Sequence, residues 1–131
     1  MSYLLDTDVC IAFLNAREAT LRRRFERTTP DEVTLCSVVK AELLYGARHS
    51  ARVSDNLARL TRFFGAFESL AFDDAAANEY ALLRAHLRRA GSPIGANDMM
   101  IAAIALTHDA TLVTRNDREF GRVAGLRVEV W

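Results

Sequence analysis

Tyr3-Leu4-Leu5-Asp6-Thr7-Asp8-Val9-Cys10-Ile11-Ala12-Phe13 runs from an apolar strand pattern straight into a helical one, with acids at the joint. Tyr3-Leu4-Leu5 reads as a short buried strand, and Asp8 as the N-cap of a helix bearing Val9, Ile11, Ala12 and Phe13. The same alternation recurs outward along the chain. A helical stretch at 18–28 carries Leu21 and Phe25 among arginines, and Pro30-Asp31 turns the chain. Val33-Thr34-Leu35-Cys36 is a second strand, after which Ser37 is expected to cap a helix reaching Arg48. Positions Val53, Leu57, Leu60, Phe64 and Phe67 share one helical face, and Ser69-Leu70-Ala71-Phe72 reads as a third strand. Asp73-Asp74 opens a long helix ending at Gly91. The stretch 97–108 is apolar nearly all round and is expected to be the most buried helix. Thr111-Leu112-Val113 and Leu126-Val128-Val130 complete the strands. Short apolar strands alternating with helices predict an α/β fold with a mostly parallel sheet.

The composition narrows the class. At 131 residues the chain suits one domain spanning 1–131, and half of it is hydrophobic, which excludes a disordered chain. Seventeen basic residues balance seventeen acidic ones, so net charge points to neither nucleic acid nor membrane. Lys40 is the sole lysine; every other basic residue is arginine, the planar fork suited to phosphates. Cys10 and Cys36 sit alone in apolar segments and read as buried thiols in a reducing compartment. No apolar run approaches the ~20 residues of a membrane span, so a cytoplasmic location is expected.

Three carboxylates interrupt apolar surroundings: Asp6, Glu42 and Asp98. An ionised carboxylate is costly to bury unpaired, so such acids either form salt bridges or gather around a cation. In a parallel α/β sheet, strand C-terminal ends and helix N-terminal ends share one edge, where ligands bind. Asp6 ends the first strand, Glu42 lies early in the helix after the second, and Asp98 lies in the first turn of the apolar helix. Thr114, Asn116 and Asp117 follow the strand at 111–113. All fall on that edge. Hard oxygen donors without His or Cys suit Mg²⁺ or Mn²⁺. Simpler roles stay open: Asp6 as a helix cap, Asp98 as a first-turn charge with Asn97 as cap, Glu42 paired with Arg48. His49, His86 and His108 lack the mutual spacing of a metal site or a catalytic triad. No GxGxxG, P-loop, GxSxG or CxxC occurs.

Four segments in order carry a resemblance: Tyr3-Leu4-Leu5-Asp6-Thr7-Asp8-Val9, Ser37-Val38-Val39-Lys40-Ala41-Glu42-Leu43-Leu44-Tyr45-Gly46-Ala47, Pro93-Ile94-Gly95-Ala96-Asn97-Asp98-Met99-Met100-Ile101-Ala102-Ala103 and Leu112-Val113-Thr114-Arg115-Asn116-Asp117-Arg118-Glu119-Phe120. Together they resemble the PIN-domain ribonucleases, specifically the VapC-type toxins of type II toxin–antitoxin systems, over essentially the whole chain. The resemblance implies a three-layer α/β/α sandwich with a mostly parallel five-stranded sheet, and Mg²⁺- or Mn²⁺-dependent endoribonuclease activity, by metal-activated water attack on a phosphodiester, with tRNA as a frequent target. It implies a VapB-type antitoxin as partner, and homodimers. By the same carry-over Asp6 and Asp98 are the principal metal ligands and Glu42 the third acid. Thr114, Asn116 and Asp117 fall around a fourth, more variable acidic position, where many relatives carry Asp at the place of Asn116. Arg17, Arg23, Arg48 and Arg115 are the candidates for holding RNA phosphates. A response-regulator receiver domain would need a lysine after its last strand, and Lys40 is misplaced for it. A non-cutting PIN-like binder would be expected to lack site acids, and this chain keeps three.

Overall fold

The structure is a computed structural model and describes residues 2–15 and 19–131. In chain order the elements are β1 (Tyr3–Leu5), α1 (Thr7–Leu14), α2 (Ala19–Glu26), β2 (Val33–Cys36), α3 (Ser37–Arg48), α4 (Val53–Phe64), β3 (Glu68–Leu70), α5 (Asp74–Arg89), α6 (Ala96–Thr107), β4 (Thr111–Val113), α7 (Asp117–Phe120) and β5 (Val128–Glu129). The five strands form one sheet in the order β3-β2-β1-β4-β5, every pair parallel. Helices flank it, as the strand–helix alternation predicts.

Burial explains why so few strand residues suffice. Leu4, Leu5, Leu35, Leu112 and Val113 are wholly buried, as expected of strands covered on both faces. Residues 101–105 of α6 are likewise inaccessible to solvent, which accounts for a helix apolar on every side. α6 packs along α5, and α3 along α4. Phe13 meets Phe25 and Phe63 at centroid distances of 4.1 and 5.7 Å, tying α1 to α2 and α4. Cys10 and Cys36 are both buried free thiols. Burial drives the Cys10 thiol far above its ordinary pKa and pushes that of Cys36 up to about 11.

Helix starts depart from the expected caps. Asp6, not Asp8, is the N-cap of α1, because the strand passes into the helix with no intervening loop. Cys36 precedes α3, so Ser37 is already helical and its hydroxyl donates to the Leu70 carbonyl at 3.4 Å. Gly95, rather than Asn97, stands before α6. Asp73 caps α5, accepting from the Ala76 N–H at 3.0 Å. At the other end of α5, Gly91 takes φ +67°, where a side chain would be strained. The four-residue α7 was not apparent in the sequence, being too short for any periodicity. It matters to the site.

Candidate active site

The strand order reverses between β1 and β4, and the site is built across that switch. Asp6 leaves the end of β1, and its backbone N–H still bonds the Val113 carbonyl at 2.9 Å. Its carboxylate is 6% exposed and is held at both oxygens. Oδ1 accepts from the Thr7 N–H at 2.8 Å, while Oδ2 accepts from the fully buried Thr114 hydroxyl at 2.7 Å. Thr114 follows β4, so this one contact ties the two strands at the switch. Neither contact brings a positive charge. Burial therefore dominates and pushes the Asp6 pKa up to about 6, with Asp8 and Asp98 adding like charge against the lowering effect of the two hydrogen bonds.

Glu42 reaches the same edge from the second turn of α3. Its Oε1 accepts from the Thr7 hydroxyl at 3.0 Å, so Thr7 bridges Asp6 and Glu42. It makes no salt bridge with Arg48, which lies in the last turn at the far end of α3. Asp98 sits in the first turn of α6, half-buried, where the helix dipole favours its charge. It has no hydrogen-bond partner among the described residues. Burial raises its pKa, and so do the charges of Glu119, Glu42 and Asp8, in that order.

Glu119 is the residue that sequence reasoning missed. It lies on α7, and its Oε2 accepts from the Asn116 side-chain amide at 3.0 Å. The Asn116 backbone N–H in turn donates to the Thr114 hydroxyl oxygen at 3.0 Å. Asn116 thus joins Thr114 to Glu119, and Asp117 stands exposed outside this chain of contacts. The available signal was helical spacing: a residue three beyond Asn116 returns to the same side once α7 forms.

The other candidates scatter. Arg115 is exposed on the turn after Thr114, close in sequence to the site, and Arg23 is exposed on α2. Arg48 is exposed at the end of α3 opposite the acids. Arg17 lies outside the described residues. Beside Glu42 opens a mostly apolar groove of about 250 Å³, walled by Ile11, Leu14, Leu43 and Leu60.

A hard divalent cation fits this donor set. The donors are carboxylate oxygens, those of Asp98 without a hydrogen-bond partner among the described residues, and burial, with like charge added, raises two of the carboxyl pKa values. Among the described residues no three of His, Cys, Asp and Glu stand close enough together to form a ready-made ligand set for a metal ion. An ion here would keep part of its water shell, as Mg²⁺ usually does.

Residues 3–126 match the family model described as the PIN domain. The chain belongs to the PIN-domain family. Within that family it falls among the VapC proteins. It is 39% identical over 131 residues to a tRNA(fMet)-specific endonuclease VapC of Shigella flexneri, covering all of this chain and 98% of that one. The toxin chain in the crystal structure of DNA-bound VapBC from Salmonella typhimurium superposes with a TM-score of 0.94 at 37% identity, covering 100% and 98% of the two chains. VapBC2 from Rickettsia felis, bound to a DNA fragment from its promoter, gives 0.93 at 33% identity, covering 100% and 99%. The PIN-domain sheet and its flanking helices in these structures agree with the fold described above.

Proposed function

We propose that this PIN domain is a metal-dependent endoribonuclease, the toxin of a VapBC-type module, cutting tRNA at a phosphodiester bond. The observation that carries the reading is the gathering of Asp6, Glu42, Asp98 and Glu119 at the β1–β4 switch, where burial and then the charge of its neighbours raise the pKa of Asp98 and no base among the described residues lowers it. Asp6, Asp98 and Glu42 would hold Mg²⁺ or Mn²⁺, with Glu119 as the fourth acid. When bound, the ion supplies a Lewis acid for phosphate oxygens and a water of lowered pKa. The protein's own residues set its seat. Thr114 and the Thr7 backbone fix both oxygens of Asp6, the Thr7 hydroxyl fixes Glu42, and the Asn116 amide fixes Glu119. Side chains locked by such contacts need no reorganisation when charge develops on a phosphate.

A VapB-type antitoxin is the partner of this module. The groove walled by Ile11, Leu14, Leu43 and Leu60 gives such a protein an apolar foothold next to Glu42. tRNA is favoured as substrate because relatives from Shigella flexneri and Salmonella typhimurium, at 39% and 37% identity, are tRNA(fMet)-specific endonucleases. The test is cleavage of initiator tRNA, elongator tRNAs and ribosomal RNA by antitoxin-free protein with Mg²⁺, beside Asp98→Asn. Discrete cuts that vanish in EDTA and fall at least a hundredfold in the variant are expected. Equal cleavage by the variant, or in EDTA, would reject the proposal.

A further inference from the structure

α2 carries basic residues along one side. Thr20, Arg23, Arg24 and Arg27 recur at three- and four-residue spacing. Arg27 keeps the helical register, its N–H bonding the Arg23 and Arg24 carbonyls at 3.2 Å. With Glu129, Val130 and Trp131 these four residues line a cleft of about 320 Å³. Three guanidinium groups there share one side-chain carboxylate, that of Glu129. Glu129 engages Arg24, its Oε1 lying 3.0 Å from Nη2. Arg23 and Arg27 have no ion pair among the described residues. Complementing the α2 dipole accounts for one such charge, not for several.

Two buried donors supply a separate observation. The Nε–H of Arg24 and the Nε1–H of Trp131 are shielded from solvent and meet no acceptor. Buried donors are nearly always satisfied, so two behind the wall of one cleft mark a wall rich in donors and poor in acceptors. Base stacking is not the fit. Arg24 already covers the Trp131 ring at 5.2 Å, and Tyr3 and Phe25 pack against it edge to face at 5.1 and 5.5 Å. An anion with several oxygens is the fit.

The cleft adjoins the acids. Glu129 pairs in register with Val113, and its carbonyl accepts the Thr114 N–H at 3.0 Å. The Thr114 hydroxyl bonds Asp6. One residue of β5 therefore touches the cleft through its side chain and the site through its backbone. We propose that this cleft is a phosphate subsite for RNA, with Arg23 and Arg27 gripping a backbone phosphate that flanks the scissile one. Arg24, clamped by Glu129, forms its fixed wall. The assignment rests on the ribonuclease reading above and adds where the strand runs.

The experiment compares the full chain with Arg23→Ala/Arg27→Ala and Arg23→Lys/Arg27→Lys. Binding of total bacterial tRNA is measured against salt in an Asp98→Asn background, and cleavage kinetics with Mg²⁺ in the active background. Each phosphate contact contributes about 0.7–0.9 to the slope of log affinity on log salt. The alanine pair should flatten that slope by about 0.7–0.9, weaken binding roughly tenfold at low salt and raise KM by a similar factor with kcat within about twofold. The lysine pair should keep most of the slope, and thermal melts should show all forms folded. An unchanged slope and KM in the alanine pair overturn the proposal. So does a loss confined to antitoxin binding, which would assign the cleft to a protein carboxylate. If the parent chain cuts no RNA, the ribonuclease reading fails on its own, while the salt slope still reports on the cleft.

Discussion

Asp6 serves two ends that oppose each other. Its carboxylate caps α1 and anchors the β1–β4 switch, yet burial makes the ionised form costly enough to raise its pKa to about 6. Asparagine at this position keeps the Thr7 cap with its one oxygen and removes the charge, while its amide N–H takes the place of Oδ2 and donates to the Thr114 oxygen. Asp6→Asn should therefore stabilise the metal-free protein at pH 7.5, by on the order of 1–3 kcal/mol for a shift of about two pKa units, while abolishing cleavage. Thr114→Val goes the other way on stability. It strips a hydrogen bond from Asp6 and an acceptor from the Asn116 N–H, for a loss of about 1–3 kcal/mol and reduced cleavage. Denaturant melts of both variants in EDTA check the pair. A destabilised Asp6→Asn would show that the charge is better accommodated at this position than its burial implies.

At the scale of elements, α7 carries Glu119, the proposed fourth corner of the site. Asn116 is tied to both Thr114 and Glu119, whereas Asp117 is exposed. Glu119→Gln and Asn116→Ala should lower kcat/KM by about 10- to 100-fold, the usual cost of losing a ligand's orienting partner, and Asp117→Ala should stay within about threefold. Steady-state cleavage of one tRNA by the three variants decides this. A large loss in Asp117→Ala with none in Glu119→Gln would put the corner back where the sequence alone suggested. The difference shows what local reading reaches. Val33–Cys36 and Thr111–Val113 were legible because buried parallel strands need unbroken apolar or β-branched runs. The α1 cap was misplaced because a loopless junction lets the residue closing a strand also start the helix. α7 has four residues, and Glu119 gains its meaning only from Asn116 and Asp98 in three dimensions.

For the whole molecule, the parallel sheet and its ligand-binding edge followed from strand–helix alternation, but the strand order did not. That order, β3-β2-β1-β4-β5, sets Asp6 beside Thr114 across 108 residues of chain. The acids it gathers couple global stability to pH and, on the function proposed above, would couple it to divalent cations. Folded Asp6 releases its proton near pH 6, unfolded Asp near 3.9, so between those values the folded state holds more protons. Stability from this group is thus highest at the acid end of the window, falls as pH rises, and its penalty is complete above about pH 6. The raised Asp98 acts in the same direction. In EDTA the melting temperature of Asp6→Asn should nearly equal that of the parent at pH 4 and exceed it increasingly up to pH 6.5. Saturating Mg²⁺ should relieve the same penalty, so it should raise the parent's melting temperature strongly at pH 7.5 and weakly at pH 5, where protons compete for the carboxylates. A Mg²⁺ stabilisation that is equal at the two pH values, or equal in parent and Asp6→Asn, would show that the ion binds away from these acids.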